Sequence, residues 1–329
     1  MTHLVSKQRE AIYVLQKLNY SQSEIAKKIG CHQSSVSREL KRNRAGPKLG
    51  YLPDRAQQKS SLRRKKAKDK VPKWYEYQPL LEYVIDKLKS KSHYSPEQIS
   101  GRLKIDYPDD PRMRVCHESI YKYIWQNKKS GGDLDQNLRQ SKKKRKKRYG
   151  KKDARGIIPN RRGIEERPKE VEEKIEPGHW ESDLIVSPNG AIATFVERVS
   201  KKVEAVKISH RTADLMTKAA IRVFEPLDKE FRKTNTHDNG KEIAKHEEIT
   251  KAVGIEIYCA HPYHSWERGL NENTNGLLRQ YFPKKSDFAK VSQDEVDTVV
   301  EAINNRPRKT LNYLTPNEKF EELKLCVSE

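Results

Sequence analysis

The stretch GHWESDLIVSPNGAIATFVERVSKKVEAVKIS, residues 178–209, decides the fold of this 329-residue chain. It contains three strand-like segments, at 180–187, 191–199 and 202–209, which short polar turns separate. Runs of β-branched and aromatic residues bounded by turn residues are typical of strands. Because consecutive strands usually lie next to each other, the sequence predicts a sheet that begins with three neighbouring strands.

The segments that follow predict helices packed on this sheet. Apolar residues at helical spacing predict a helix over about 212–231. The rest of the predicted alternation is a short strand ending at Asp238, a helix to Val253, a strand over 255–259 and closing helices. Three strands followed by alternating helices and strands indicate a mixed sheet with helices on its faces. Residues 164–329 are therefore expected to form an α/β domain.

Charge is distributed unevenly along the chain. Residues 1–163 hold 42 Lys and Arg against 16 Asp and Glu, a net charge of +26. Residues 164–329 hold 26 against 30, a net charge of −4. Basic side chains that displace counterions from a polyanion gain affinity without reading its sequence. The N-terminal half therefore predicts a nucleic-acid partner.

Composition argues against a membrane protein and against a secreted protein. Hydrophobic residues make up 34% of the chain and charged residues 35%, against about 45–50% and about 25% in typical domains. No stretch reaches the roughly 18 uninterrupted apolar residues of a membrane span, and no apolar signal core is found at the N-terminus. The four cysteines form no CxxC pair, which argues against a disulfide scaffold or a zinc ribbon. A cytoplasmic protein is expected.

The first fifty residues predict a helix-turn-helix. Residues 21–24 form a capping box that starts one helix, Gly30 allows a tight turn, and Val36 packs a second helix against the first. The outward face of the second helix can reach base edges or phosphates. The candidate DNA-binding residues on it are Gln33, Ser34, Ser37, Arg38, Lys41 and Arg42. A generic helical hairpin is the alternative interpretation.

The sequence divides into five predicted segments. They are a helix-turn-helix domain at 1–50, a basic linker at 51–73, a second helical, helix-turn-helix-like domain at 74–127, a second basic linker at 128–163, and the α/β domain at 164–329. Within the second helical domain, residues 95–98 combine an N-cap serine, a proline and a capping-box glutamine. This domain is either a second DNA-binding module or a spacer.

Three carboxylates occupy positions that suggest chemistry. Asp183 lies inside the first predicted strand, Asp238 ends a later strand, and Glu272 lies in a predicted helix. Three polar residues share the helix face of Glu272, namely Arg268, Asn275 and Arg279. Each acid alone could be an edge-strand charge, a turn residue or an exposed helix residue. Together they predict an acidic site.

Four motifs around these acids resemble the DDE transposases of the insertion-sequence-thirty family. They are GHWESD (178–183), HDNGKE (237–242), WERGLNENTNGLLRQYFPK (266–284) and NNRPRKTL (304–311). The 33 residues between Asp238 and Glu272 agree with the spacing in that family. Three N-terminal motifs resemble its DNA-binding region, namely QREAIYVL (8–15), SEIAKKIGCHQSSVSRELKRN (23–43) and SPEQISGRL (95–103).

The resemblance implies helical helix-turn-helix modules followed by a ribonuclease-H-like mixed-sheet catalytic domain. Asp183, Asp238 and Glu272 would be both the catalytic residues and the metal ligands. Three carboxylates can hold two hard divalent ions about 3.5–4 Å apart, one activating the attacking oxygen and one stabilising the leaving oxygen. Oxygen ligands favour Mg²⁺, two per active site, and Mn²⁺ could substitute.

The function implied is that of a transposase. It would bind the terminal inverted repeats of a mobile element in double-stranded DNA, cleave there and transfer the strands to target DNA. A homodimer on DNA is expected. The protein is expected in the bacterial cytoplasm, associated with the nucleoid and not with a membrane. Further candidate DNA-binding residues are Arg268, Asn275, Arg279, Lys284 and Arg306. Two alternatives remain, a DNA-binding repressor or architectural protein with an inactive dimerisation domain, and a ribonuclease-H-like nuclease without strand transfer.

Seven consecutive basic residues, Lys142 to Arg148, lie in the second predicted linker. Replacing them with neutral residues should weaken binding to all DNA sequences and flatten its salt dependence. Each phosphate contact contributes about 0.9 to the slope of log K against log salt concentration. Fluorescence anisotropy of a labelled duplex across a salt series measures this slope. A slope equal to that of the wild type would show that the run does not follow phosphates.

Overall fold

The computed structural model describes residues 4–46, 50–68, 73–139, 160–261 and 264–328. The chain forms two compact units, which divide between Pro72 and Lys73. The basic run from Lys142 to Arg148, and most of the linker predicted at 128–163, lie outside the described residues.

The first unit is mainly helical. It contains α1 (Ser6–Lys17), α2 (Gln22–Ile29), α3 (Gln33–Asn43), two short antiparallel strands β1 (Arg44–Gly46) and β2 (Gly50–Tyr51), and α4 (Pro53–Lys68). The predicted capping box starts α2, since the Glu24 N–H donates to the Ser21 hydroxyl and the Ser21 N–H donates to the Glu24 carboxylate. Gly30 ends α2 with a φ of 69°, a left-handed conformation that glycine adopts without strain. The predicted turn is therefore present.

Residues 53–68, predicted as part of a basic linker, instead form α4 and complete this unit. Ala56 is fully buried in the core that contains Ile12 and Val36. The Arg63 guanidinium donates to the side-chain oxygen of Asn43 in α3 at 2.5 Å. Because α4 packs through one alanine and polar side chains, it has no apolar stripe for a sequence pattern to reveal.

A buried ion pair joins the helices of the first unit. Arg9 of α1 donates from Nε to Glu39 Oε1 of α3 at 2.7 Å, and the two side chains are 3% and 9% exposed. The same guanidinium donates to Gln57 and Ser60 of α4. The Tyr51 hydroxyl donates to Glu39 at 3.2 Å. The network supplies the hydrogen bonds that water would give to these charges outside the core.

Replacing Arg9 with Ala should destabilise the first unit by about 3–5 kcal/mol, because Glu39 would keep a buried charge without its partner. Amide hydrogen exchange in the full chain, read by mass spectrometry, reports each unit separately. Loss of protection should be confined to residues 4–68. Arg42→Ala, an exposed change on α3, is the control and should shift stability by less than about 0.5 kcal/mol. Equal loss of protection in the two variants would contradict the prediction.

The second unit contains a helical part and a sheet-containing part. The helical part consists of α5 (Gln78–Lys89), α6 (Pro96–Asp106) and α7 (His117–Lys129). The sheet-containing part consists of α8 (Glu170–Glu173), β3 (His179–Ser187), β4 (Gly190–Glu197), β5 (Val203–Ile208), α9 (Ala213–Phe224), β6 (Thr234–His237), α10 (His246–Val253), β7 (Glu256–Cys259), α11 (Gly269–Tyr281), α12 (Gln293–Asn304) and α13 (Pro316–Ser328). None of the helices in the described ranges has the length and apolar character needed to cross a bilayer.

The sheet has five strands in the order β5-β4-β3-β6-β7. Strands β3, β4 and β5 are antiparallel neighbours, while β6 runs parallel to β3, and β7 parallel to β6. The predicted ribonuclease-H-like arrangement is confirmed. Trp180 and Phe224 belong to the core under α9 and α10, and Ile192 and Leu278 to the core under α11 and α12. Helix α9 ends earlier than predicted because Pro226 has no N–H to continue the helix.

The helical part packs on the sheet-containing part of the same unit. The Tyr94 hydroxyl donates to the Asn305 carbonyl at 2.8 Å. Arg102 of α6 donates two hydrogen bonds of 2.6 Å to the Glu318 carboxylate. The predicted division into a separate domain at 74–127 therefore differs from the structure, in which residues 73–329 form one unit.

Two details of this contact concern the helix that contains SPEQISGRL. Gly101 of α6 faces the ring of Tyr313 so closely that a Cβ atom would lie 2.3 Å from it, which leaves room for glycine alone. The Gln98 amide donates to the Pro307 carbonyl at 2.7 Å. One face of α6 thus contacts protein, which limits the surface that this helix could offer to DNA.

Candidate active site and DNA-binding residues

Asp183 and Asp238 occupy matching positions on two paired strands. Asp183 lies within β3, and Asp238 follows β6 directly. The parallel register pairs Glu181 with Thr236, so the two aspartates are each two residues further along. Their side chains are 28% and 32% exposed. Two segments that are distant in sequence therefore bring carboxylates together where β6 ends beside the middle of β3. We call this position the acidic edge.

One arginine lies between the two carboxylates. Arg268 Nη1 is 3.7 Å from Asp183 Oδ1, and Arg268 Nη2 is 3.8 Å from Asp238 Oδ2. The same side chain donates to the Ser182 carbonyl at 3.2 Å. Distances near 3.8 Å are ion pairs rather than hydrogen bonds. The guanidinium charge offsets the repulsion between two acids that are close together and partly desolvated.

Glu272 lies in the first turn of α11, the helix that begins directly after Arg268. Asn275 Nδ2 donates to Asp183 Oδ2 at 2.9 Å. Positions 268, 272 and 275 share one face of the helix. Glu272 therefore lies between two residues that contact Asp183, and its own side chain is exposed to solvent.

Buried polar groups fix α11 on the sheet. The Asn271 N–H donates to Glu181 Oε2 at 3.0 Å, and Glu181 is 1% exposed. The Thr194 hydroxyl of β4 lies 3.2 Å from the side-chain oxygen of Asn271. A carboxylate at the first turn of a helix satisfies a free N–H group and interacts favourably with the helix dipole. The sequence pattern does not reveal these contacts, because Glu181 occupies what reads as an ordinary polar position in a strand.

The two aspartates have different pKa values. Burial raises the pKa of Asp183 against the pull of Arg268, and the negative charge of Asp238 adds to the rise. Burial also acts to raise the pKa of Asp238, but His237, Arg268 and the Gly240 N–H together hold it well below its usual range. His237 is fully buried, and its Nδ1 is 3.0 Å from Asp238 Oδ1. Asp238 is therefore ionised at neutral pH.

The structure brings the two aspartates to a common guanidinium but does not place all three carboxylates at metal-ligand separation. Among the residues described, one group of three has all its potential ligand atoms within 4.8 Å of one another. It consists of His261, His264 and Glu267. Glu272 has no direct contact with the aspartates. It lies one helical turn after Arg268, which does contact them.

The six residues proposed to read DNA all lie on α3 of the first unit. Gln33, Arg38, Lys41 and Arg42 are exposed, while Ser34 and Ser37 are half-buried. The Arg38 guanidinium donates to the carbonyl and hydroxyl of Ser34 at 3.0 and 3.1 Å. The opposite face of α3 buries Val36, so the predicted outward face is solvent-accessible. Base contacts by these side chains stay a prediction.

The five candidates of the second unit are placed differently. Arg268 and Asn275 contact the aspartates, and Arg279 donates to the Val186 carbonyl at 2.8 Å. Lys284 is exposed. Arg306 is 3% exposed and donates to the side-chain oxygens of its two glutamine neighbours, Gln98 and Gln280, at 3.1 Å each. Only one of the five is thus freely presented to solvent.

Two protein families match the chain, one in its N-terminal part and one in its sheet-containing part. The integrase core domain family matches residues 173–265, and a helix-turn-helix domain family matches residues 1–43. Together with the ribonuclease-H-like sheet and the acidic edge, these matches define a DNA-binding protein with an integrase-type core.

The relatives give the family. The chain is 42% identical over 323 residues to the transposase for insertion sequence element IS4351 of Bacteroides fragilis, which covers 98% of this chain and 96% of the relative. It is 37% identical over 328 residues to the transposase InsI for insertion sequence element IS30A of Escherichia coli K12, covering 98% and 84%. The chain belongs to the IS30 family of transposases. Among solved structures, the catalytic core domain of BIV integrase is 20% identical and covers 46% of this chain and 99% of that domain, with a TM-score of 0.39.

Family membership confirms the transposase function predicted from the sequence. The integrase-type core implies an enzyme that acts on DNA and depends on divalent metal ions.

Replacing Arg268 with Gln should destabilise the protein by about 1–3 kcal/mol in EDTA, because two partly buried acids lose the charge between them. Adding Asp183→Asn to this variant should recover part of the loss, since one of the repelling charges is then absent. Denaturant unfolding of wild type, both single variants and the double variant gives the coupling energy. Strictly additive effects of the two changes would contradict the role assigned to Arg268.

Proposed function

We propose that Asp183, Asp238 and Glu272 are the catalytic carboxylates of a DDE transposase. The enzyme cleaves DNA at the terminal inverted repeats of a mobile element and joins the freed 3′ ends to target DNA. The observation that carries this proposal is the pair of contacts from Arg268 and Asn275 to Asp183, because Glu272 lies between these two residues on α11.

Asp183, Asp238 and Glu272 all offer oxygen atoms, and oxygen ligands suit a hard divalent cation such as Mg²⁺, with Mn²⁺ as a substitute. The Arg268 guanidinium shows that the edge already stabilises a positive charge between Asp183 and Asp238. In the proposal Asp183, Asp238 and Glu272 would together hold the metal ions. Bound ions of this kind activate the attacking oxygen and stabilise the leaving oxygen of a phosphodiester.

Neighbouring side chains hold the carboxylates in position. Asn275 orients Asp183 through its hydrogen bond of 2.9 Å. His237 is fully buried and orients Asp238 from 3.0 Å. If the aspartates held cations, the Arg268 guanidinium would be free to bind a phosphate oxygen of the DNA.

The same site serves both reactions in the proposal. In cleavage, a water oxygen forms a bond to phosphorus, the bond from phosphorus to the 3′ oxygen breaks, and that oxygen takes up a proton to give a 3′ hydroxyl. In joining, the 3′ hydroxyl replaces water as the attacking group, so one phosphodiester bond forms as another breaks. Glu272 is exposed, and the attacking group can therefore reach its side of the site from solvent.

The first unit supplies DNA recognition. The helix-turn-helix match and the exposed polar face of α3 support binding to the inverted repeats through that helix. Joining two element ends requires two active sites, so the proposed active form is a homodimer on DNA.

Replacing Glu272 with Gln should abolish cleavage and joining, with a rate loss of about a thousandfold or more, which corresponds to about 4 kcal/mol of barrier. DNA binding should not change. A labelled duplex carrying the element end, incubated with Mg²⁺ or Mn²⁺, reports both reactions. Glu225→Gln is the matched control, since Glu225 is exposed at the end of α9 and lies on the other side of the sheet.

Cleavage by Glu272→Gln at the wild-type rate would show that Glu272 is not a catalytic residue. If the wild type binds the element end but does not cut it in the presence of any divalent ion, the catalytic proposal as a whole is wrong.

A further inference from the structure

A cavity of about 830 Å³ lies between the helical part and the sheet-containing part of the second unit. The helical part contributes Gln98 of α6 and Arg139, which follows α7. Helix α11 contributes Leu270 and Leu277, on the face opposite to Arg268 and Asn275. The cavity is therefore separate from the acidic edge, with α11 between them.

Basic side chains predominate in the lining of this cavity, with seven Lys and Arg against four Glu. The carboxylates already have protein partners. Glu97 pairs with Lys309, Glu172 with Arg167 and Arg198, Glu181 with Arg198 and the Asn271 N–H, and Glu267 with His261 and His264. The remaining positive charge of the lining is therefore not neutralised by these acids.

The two arginines of NNRPRKTL are the centre of this excess charge. Within the described part of the chain, neither Arg306 nor Arg308 has a carboxylate within ion-pair distance. Arg306 has glutamine partners, and Arg308 donates from Nη2 to the Ile303 carbonyl at 3.2 Å. Arg308 Nε is buried and has no hydrogen-bond partner. A buried donor without a partner is costly unless a ligand satisfies it.

Electrostatics in the cavity favour an anion. Burial lowers the pKa of Arg306 to about 10 and that of Arg308 to about 9, and the positive charge of Arg139 lowers both further. Burial also lowers the pKa of Lys201, with Arg308 contributing to the shift. The sequence that follows Arg139 is itself strongly basic.

We propose that this cavity binds a backbone phosphate of DNA, with Arg308 and Arg139 as its principal ligands. The planar guanidinium matches two phosphate oxygens at once. The volume exceeds that of one phosphate and leaves room for the adjoining sugars. DNA held here would contact both parts of the second unit, on the side of α11 opposite to the carboxylates. The proposal depends on DNA binding by the transposase and not on the assignment of its catalytic residues.

Binding of a labelled duplex carrying the element end, measured in EDTA between about 50 and 200 mM salt, tests this proposal. Arg308→Gln and Arg139→Gln should each weaken binding about tenfold at the higher salt concentration. Each should also make the negative slope of log K against log salt less steep by about 0.9. Arg222→Gln is the matched control, because Arg222 is an exposed arginine of α9 on the other face of the sheet. It should leave the slope unchanged.

Thermal unfolding shows whether each variant is folded. Arg139 is exposed, so Arg139→Gln keeps the test valid if Arg308→Gln proves unstable. Wild-type affinity and slope in the folded variants would overturn the proposal, and so would an equal change in Arg222→Gln, which would indicate an effect of net charge alone. EDTA prevents metal-dependent cleavage, so this outcome is independent of whether Glu272 is catalytic.

Discussion

The position of the Arg268 guanidinium between Asp183 and Asp238 is the interaction on which the site depends. It links β3, the residue after β6 and the start of α11, three segments far apart in sequence. Two acids at matching positions of paired strands repel each other, and partial burial strengthens the repulsion. The edge therefore requires positive charge. Arg268 supplies it in this structure, and metal ions would supply it in the catalytic proposal.

Hydrophobic packing brings these segments near each other but does not align them. The cores on the two faces of the sheet fix α9, α10, α11 and α12 as layers. The alignment of α11 along β3 comes from directional contacts, in which Glu181 accepts from the Asn271 N–H and Asn275 donates to Asp183. Hydrogen bonds specify position more narrowly than apolar contact, because they depend on angle as well as distance. The turn that contains Glu272 is placed by these contacts.

The sequence predicted the elements whose signals are local. The capping box at Ser21, the turn at Gly30 and the three strands of 178–209 follow from patterns within a few residues. Helix α4 was not predicted, because it is held by Ala56 and by polar contacts that leave no periodic trace. The packing of α6 on the sheet-containing part was not predicted either. It rests on contacts such as Arg102 with Glu318, which lie more than two hundred residues apart.

For the site, helical periodicity correctly grouped Arg268, Asn275 and Arg279 on one face, but it could not say what that face meets. We expected DNA, and the structure shows the three side chains in contact with β3 or its aspartate. Periodicity gives the direction of a side chain relative to its own helix and contains no information about the partner. Arg306 in NNRPRKTL is a second example. It was predicted to bind DNA from its charge, but its side chain is almost fully buried against protein.

Iron-mediated cleavage of the protein backbone would test most directly whether the three carboxylates share one site. Fe²⁺ bound in place of Mg²⁺, with ascorbate and peroxide, cuts the chain close to its ligands, and mass spectrometry of the fragments locates the cuts. We expect cuts near Asp183, Asp238 and Glu272, and excess Mg²⁺ should suppress all of them together. Cuts confined to the segment from His261 to Glu267, or cuts that Mg²⁺ does not suppress, would contradict it.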